Sequence, residues 1–330
     1  MDPLGRSLYI VTEGRTAGRC RGGRQGETVQ KAETKMRVGV DLGGSKTEIA
    51  ALDESGTTVW RERAATPRGY GQVLQTVVDL VRRAEERFGA VTRVGICTPG
   101  SISPATGLLK NSNLVSLNGR SIDRDLGRLL SRPVRVANDA DCFALSEAVD
   151  GAGKGARILF AVILGTGTGG GVVVDGRLLT GPNAIAGEWG HNPLPWAEGD
   201  ELGGARCYCG RRGCIETFLS GPALAGDYWA ATGRGLPPEE ITRLAEGGDP
   251  AAAAALGRYR DRLARALASV INVLDPHAVV LGGGLSGIES LYREVPALWG
   301  RYVFSDTVET RLLRAHHGDS SGVRGAAWLW

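Results

Sequence analysis

"ILFAVILGTGTGGGVVVDGRLL", residues 158–179, is the stretch on which the fold turns. A β-branched run enters a glycine turn, a second run leaves it, and an Asp-Gly pair turns the chain into a third strand. The stretch holds a literal G-x-G-x-x-G at Gly165, Gly167 and Gly170, and Glu188 falls near the position where a dinucleotide fold carries its ribose-binding acid. Context rules that reading out. The motif needs a helix directly after it, whose N-terminus holds the pyrophosphate, and here a strand follows.

The same order of features occurs earlier. "MRVGVDLGGSKTEIAALDESGTTVW", residues 36–60, reads as strand, glycine turn, strand, a D-x-S-G turn and a third strand. Residues 72–88 then follow a helical period that places Val73, Val77, Leu80, Val81 and Ala84 on one face. "RVGIC" and "PVRVAN" read as strands, residues 121–130 and "DADCFALSEAV" as helices, residues 251–274 as a long Ala/Leu-rich helix, and "AVVLGGG" as a buried strand. A duplicated hairpin unit alternating with helices predicts two α/β domains, each with its own mixed sheet. The ligand is then expected in the cleft between them.

Two glycine hairpins on two domains can grip phosphate from both sides, because bare backbone N–H groups line a concave nest with no Cβ in the way. "DLGGSKTE" and "GTGTGGG" are such hairpins, with Asp41 and the hydroxyls of Ser45, Thr166 and Thr168 nearby. Alone, either one reads as a tight structural turn; the pair points to nucleotide phosphate.

The 330 residues include 50 glycines and carry a net charge of +3. That charge sits in residues 1–35, which hold seven basic and four acidic groups; the rest of the chain holds 32 of each. A nucleic-acid binder spreads its charge over a folded face, so none is expected as a partner. Residues 1–35 lack both a sustained apolar period and the ~7–15 residue apolar run of a secretory signal, and read as a disordered extension. No stretch reaches the ~18 apolar residues of a membrane helix, so no membrane partner is expected.

Six cysteines, three of them within "CYCGRRGC" at 207–214, do not form the even framework of a secreted disulfide domain, and a reducing cytoplasm fits. Cys97 and Cys142 read as buried small hydrophobes. The C-x-C-x4-C spacing lacks the C-x-x-C of thiol redox chemistry. A zinc ion needs four ligands, and the chain has four histidines: His191, His277, His316 and His317. His191 lies 16 residues before Cys207. His191, Cys207, Cys209 and Cys214 are therefore expected to form a closed structural Zn²⁺ site with no open position for water.

"DLGGSKTE", "GICTPG", "ANDADCFALSEA", "LGTGTGGG", "GEWGH", "CYCGRRGCIE" and "VVLGGG", in that order, closely resemble the ROK sugar kinases over residues 36–330. Within that family "PGSISPATG", "GEWGHNPLPW" and "HGDSSGVRGAAWLW" look most like the bacterial fructokinase, or manno(fructo)kinase, branch. The resemblance implies a two-domain, actin-like and ribonuclease H-like ATPase fold. Residues 36–138, with a C-terminal helix about 318–330, would form the smaller domain, and 139–317 the larger, carrying a zinc loop at 188–216. It implies transfer of the ATP γ-phosphoryl group to the 6-hydroxyl of D-fructose, with mannose a further acceptor and N-acetylglucosamine or glucose the rival substrates.

Residue by residue, the resemblance makes Asp139 the general base, although a helix N-cap is the plain alternative at that position. Asn113, Asn138, Glu188, His191 and Glu216 match sugar contacts, with His191 giving one ring nitrogen to zinc and the other to a sugar hydroxyl. Gly43, Gly44, Ser45, Lys46, Gly165, Thr166 and Gly167 match the ATP side, Gly282, Gly283 and Gly284 the adenosine region, and Asp41 the placement of Mg²⁺. Some relatives join this fold to DNA-binding helices, but residues 1–35 offer no helix-turn-helix. Relatives also form homodimers, which makes a second copy an expected partner.

Overall fold

The computed structural model describes residues 36–330, so the expectations for residues 1–35 lie outside it. β-Branched runs give β1 (Arg37–Leu42), β2 (Lys46–Leu52) and β3 (Thr58–Ala65), paired antiparallel. The D-x-S-G turn closes as its side chains require: Asp53 Oδ1 accepts the backbone N–H groups of Ser55 and Thr57, each at 2.9 Å. Helix α1 (Tyr70–Phe88) buries the five residues that its period places on one face. Then come β4 (Val94–Cys97), the short hairpin β5 (Ser101–Ile102) and β6 (Leu109–Lys110), α2 (Ile122–Leu130) and β7 (Val134–Ala137). The first sheet is ordered β3-β2-β1-β4-β7, with β4 parallel to β1 and β7 parallel to β4.

After α3 (Asp139–Val149) the pattern repeats. β8 (Ile158–Leu164), β9 (Thr168–Val174) and β10 (Arg177–Leu178) pair antiparallel. A long loop leads to α4 (Glu216–Leu219), α5 (Gly221–Thr232), α6 (Pro238–Glu246) and α7 (Pro250–Leu274). The chain ends with β11 (Ala278–Gly282), α8 (Leu291–Trp299), β12 (Arg311–Arg314) and α9 (Ser321–Trp328). The second sheet, β10-β9-β8-β11-β12, has β11 parallel to β8 and β12 parallel to β11. Both sheets thus share one order and one set of strand directions, as the duplicated hairpins require of an actin-like, ribonuclease H-like fold. A core under the second sheet is built largely by α7, which buries Leu256, Tyr259, Leu263 and Leu267.

Helices α3 and α9 join the two halves. α3 lies on β8 and β9, α9 on β1, β2 and β4, and the helices pack against each other. Glycine makes this possible: a Cβ on Gly325 of α9 would fall 1.8 Å from the Cys142 carbonyl oxygen of α3. The far end of α3 is tied to the C-terminal segment. The fully buried carboxylate of Glu147 accepts the backbone N–H groups of His316 at 2.9 Å and His317 at 3.1 Å. Asp150 takes His317 Nε2 at 2.8 Å, and Arg324. His316 and His317 thus belong to a structural clasp and are not among the residues whose donor atoms converge with the loop thiols. Cys97 and Cys142 are buried together under α9, as small hydrophobes. Among the described residues no helix is long and apolar enough to cross a membrane.

Candidate active site

Ligands of open α/β sheets bind beyond the carboxyl ends of the parallel strands, and five of the predicted site residues fall there. Asp41 is the last residue but one of β1, Asn138 and Asp139 follow β7, Gly165 follows β8 and Gly283 follows β11. The helix cap is Asn138, not Asp139: Asn138 Oδ1 accepts the Asp141 N–H at 2.6 Å, which satisfies an orphan donor of α3. Asp139, the first residue of the helix, accepts the N–H of Ala140 at 3.0 Å and is exposed.

Carboxylates crowd this point. Loss of water around its carboxyl raises the pKa of Asp139 above the ordinary range, against the pull of the backbone N–H groups of Ala140 and of Asp139 itself. Burial also raises Asp41; its bond with the Cys97 thiol opposes the rise, and the charges of Glu48 and Asp139 add to it. Asp141 is pushed up to about 7, by burial first and then by the charges of Glu188 and Asp139. Asp139 of α3 thus acts on both Asp41 of β1 and Asp141, and Glu188, from the segment after β10, acts on Asp141.

The first glycine hairpin is a tight turn in which the Gly43 N–H donates to Lys46 O at 3.0 Å, leaving Gly44, Ser45 and Lys46 exposed. In the second, the Gly165 N–H donates to Gly167 O at 3.0 Å. Of the three glycines that end β11 and follow it, Gly282, Gly283 and Gly284, two have packing reasons. A Cβ at Gly282 would stand 2.5 Å from the Phe143 ring, and Gly283 has φ +81° with Leu164 O only 2.4 Å from where its Cβ would be. Gly284 instead opens on a cavity of about 790 Å³, together with Gly165 and Thr166. Pro222, Leu285 and Ile288 complete its apolar wall. Those three residues carry no motif, and no sequence signal marked them. A second cavity, of about 890 Å³, separates β7 from β10 and is lined by Asn138 and Asp141 but not by Asp139, Glu188 or His191.

The four expected metal ligands converge. His191, Cys207, Cys209 and Cys214 offer donor atoms that all lie within 4.8 Å of one another. Cys209 Sγ and Cys214 Sγ are 3.6 Å apart, and Cys207 Sγ is 3.6 Å from His191 Nδ1. Tetrahedral zinc, with bonds of ~2.3 Å to sulfur and ~2.0–2.1 Å to nitrogen, needs edges of about 3.8 Å and about 3.6 Å. The donor set fits that ion, and the sulfurs are too far apart for a disulfide. His277, exposed at the head of β11, takes no part.

Glu216 ties this loop to the second glycine hairpin. Its Oε2 accepts the Thr168 N–H at 2.9 Å, while Oε1 stands 3.9 Å from Cys207 Sγ. A Cβ at Gly167 would come within 2.6 Å of the same carboxylate, so glycine lets Glu216 reach the turn. Trp189 anchors the segment carrying Glu188 and His191: it is buried and donates from Nε1 to Gly169 O at 3.0 Å. Asn113 lies exposed on the loop after β6 and bonds to no other predicted site residue. Tyr208, overlooked in the sequence because it lies between two ligand cysteines, places its hydroxyl 3.0 Å from His191 Nε2.

Residues 37–330 match the model of the ROK family. An N-acetyl-D-glucosamine kinase of Yersinia pseudotuberculosis is 40% identical over 299 residues, which cover 89% of this chain and 98% of that protein. The structure of a ROK hexokinase from Thermus thermophilus superposes with a TM-score of 0.80 at 33% identity, covering 89% of this chain and 97% of that one. A ROK glucokinase from Streptomyces griseus, solved with glucose and AMPPNP, gives a TM-score of 0.70 at 27% identity, covering 88% and 98%.

Proposed function

This chain belongs to the ROK family, and on that premise we propose that it is an ATP-dependent hexose kinase acting on the sugar 6-hydroxyl. The observation that carries the reading is the Glu216 bridge: one carboxylate spans the glycine hairpin suited to phosphate and the His/Cys loop suited to sugar. The named kinase relatives support it. So does the cavity that Gly165, Thr166 and Gly284 share, whose apolar wall suits an adenine ring.

In this reading the hexose lies against Glu188, His191, Glu216 and Asn138. Asn138 Oδ1 is spent on the helix cap, which leaves its amide N–H groups for a sugar oxygen. Asp139 accepts the 6-hydroxyl proton as that oxygen attacks the γ-phosphorus, a contribution of ~10²–10⁴-fold. A raised pKa makes it a better proton acceptor than an ordinary carboxylate. Asp41 would hold Mg²⁺, through water, over the exposed turn of Gly43, Gly44, Ser45 and Lys46, where the ion would neutralise phosphate charge. Zinc on the four loop donors would be structural, fixing the wall that carries Glu188 and Glu216. Residues 36–138 with α9, and 139–317, would act as two domains that close on the substrates to exclude water.

The sugar placed first is N-acetylglucosamine, named for relatives 40% identical to this chain. Fructose, expected from "GEWGHNPLPW" and "HGDSSGVRGAAWLW", has no counterpart among those relatives and stands second. ADP release measured across N-acetylglucosamine, fructose, glucose and mannose tests the reading. A sugar-dependent rate is expected, and the ratio of kcat/KM values ranks the acceptors. No stimulation by any hexose would overturn it.

A further inference from the structure

Helix α6 starts beside the second glycine hairpin. A Cβ at Gly221 would stand 3.4 Å from the Gly165 carbonyl oxygen and 3.5 Å from the ring of Pro238, the first residue of α6. Pro238, Glu239 and Thr242 all line the cavity of about 790 Å³ on which Gly165, Thr166 and Gly284 open. Glu239, next to Pro238, therefore lies toward the hairpin end of that cavity. Thr242, at ~1.5 Å of rise per residue, lies about 6 Å further along the helix than Pro238. A nucleotide with its phosphates on the hairpin and its base on the apolar wall brings its ribose past Glu239.

Among the described residues lining the cavity, Glu239 carries the one charged side chain. It is exposed, and no ion pair among the described residues engages it. Its neighbour Glu240 differs: Arg243 donates to both of its carboxylate oxygens, at 2.9 Å and 2.5 Å. The Thr242 hydroxyl donates back to Pro238 O at 2.9 Å, which leaves only its lone pairs for a ligand. A free carboxylate close to a polyphosphate is repelled by it, so its place there needs a compensating bond. A carboxylate only accepts hydrogen bonds, and its two oxygens suit two adjacent donors. The 2′- and 3′-hydroxyls of a ribose are such a pair, and dinucleotide folds set an acid on the same edge of the sugar.

We infer that Glu239 selects the phosphoryl donor: its carboxylate accepts hydrogen bonds from the ribose 2′- and 3′-hydroxyls, so that a ribonucleotide is held in preference to its 2′-deoxy counterpart. The inference rests on the ATP-dependent kinase reading above and deepens it by naming the residue that reads the donor's sugar. An acid in the first turn of a helix also favours the N-terminal dipole, but that role shows in stability and not in nucleotide preference.

Glu239→Gln keeps the size of the side chain and removes its charge. Dissociation constants of ADP and 2′-deoxy-ADP, measured by calorimetry without hexose, separate the outcomes, with Tm recorded on the same samples. Wild type is expected to bind ADP about tenfold more tightly than 2′-deoxy-ADP, and the variant to lose about tenfold for ADP and little for the deoxynucleotide. In turnover the loss should appear in the KM for ATP rather than in kcat. Equal affinity of wild type for the two nucleotides overturns the inference, as does a variant that keeps the wild-type preference or loses only Tm. Failure of the kinase reading shows separately, as a wild type that discriminates between the two nucleotides yet releases no ADP with any hexose.

Discussion

Arg265 and Glu201 meet fork to fork: Nη1 donates to Oε2 and Nη2 to Oε1, each at 2.8 Å. Arg265 belongs to α7 and is 5% exposed, while Glu201 lies in the loop between His191 and Cys207. Arg265 also donates to the carbonyl oxygens of Pro195 and Trp196, and Arg262 adds a bond to Glu201 at 2.8 Å. The loop that brings the metal donors together is therefore fastened to the core helix independently of any ion.

Arg265→Met leaves Glu201 enclosed beside a single arginine, and should cost about 2–4 kcal/mol in urea unfolding. Burial alone would push the Glu201 carboxyl up, but hydrogen bonds from Arg265 and Arg262 hold it down to about 2. A depressed carboxyl pKa gives stability that is present above its unfolded value, near 4.5, and is lost as pH falls toward 2. The variant should lose much of that acid dependence. An unchanged stability profile between pH 5 and pH 2 would count against the clamp.

Asp139→Asn should lower kcat by ~10²–10⁴-fold while sugar still binds, because the amide keeps the shape and cannot accept the proton. Since loss of water around its carboxyl raises the Asp139 pKa, the acidic limb of wild-type kcat/KM should lie above the ordinary carboxylate range. Near-normal turnover in the variant would remove Asp139 as base.

Asp141→Asn tests the crowding of acids at the head of α3. Its pKa of about 7 lies above the ordinary 3.8, so folding favours the protonated form. That stability is fully present below the unfolded pKa and is lost as pH rises through about 7. The asparagine variant should therefore gain about 1–2 kcal/mol over wild type at pH 8.5, after allowance for screening by water in the cleft, and much less at pH 5. Equal gains at both values would mean that the charge is not the cause.

Cys209→Ala removes one of four donors. Metal should fall from about one zinc per chain to none, with sugar affinity and Tm falling together, the loss being a fraction of the ~10–16 kcal/mol that such sites supply in small modules. Stoichiometric zinc in the variant would refute the donor set.

Periodicities and turn chemistry are local, and they were legible. The period-3.6 stripe from Val73 to Ala84, the D-x-S-G turn at Asp53 and the repeated strand–glycine–strand units each follow from a few neighbouring side chains. The metal donors were legible for a different reason: three closely spaced thiols leave few partners, and only His191 lies close by in sequence. Asp139 was the ambiguous residue, because an aspartate at a helix start can serve as cap or as base. The structure takes the cap away from Asp139, because Asn138 holds it, and leaves the role of base as the proposal above.

By itself, then, the sequence determined the two duplicated sheets, the Cys/His knot and the order in which the site residues come, because each rests on short-range spacing or on a scarcity of alternatives. Tertiary structure alone decided that Glu216 reaches the Thr168 amide, that Tyr208 faces His191, that Gly282 and Gly283 serve packing while Gly284 opens on a cavity, and that Arg265 pins the metal loop. Those pairs lie 17 to 70 residues apart or depend on which face of a turn is open. Only the folding of the chain against α7, α3 and α9 fixes them.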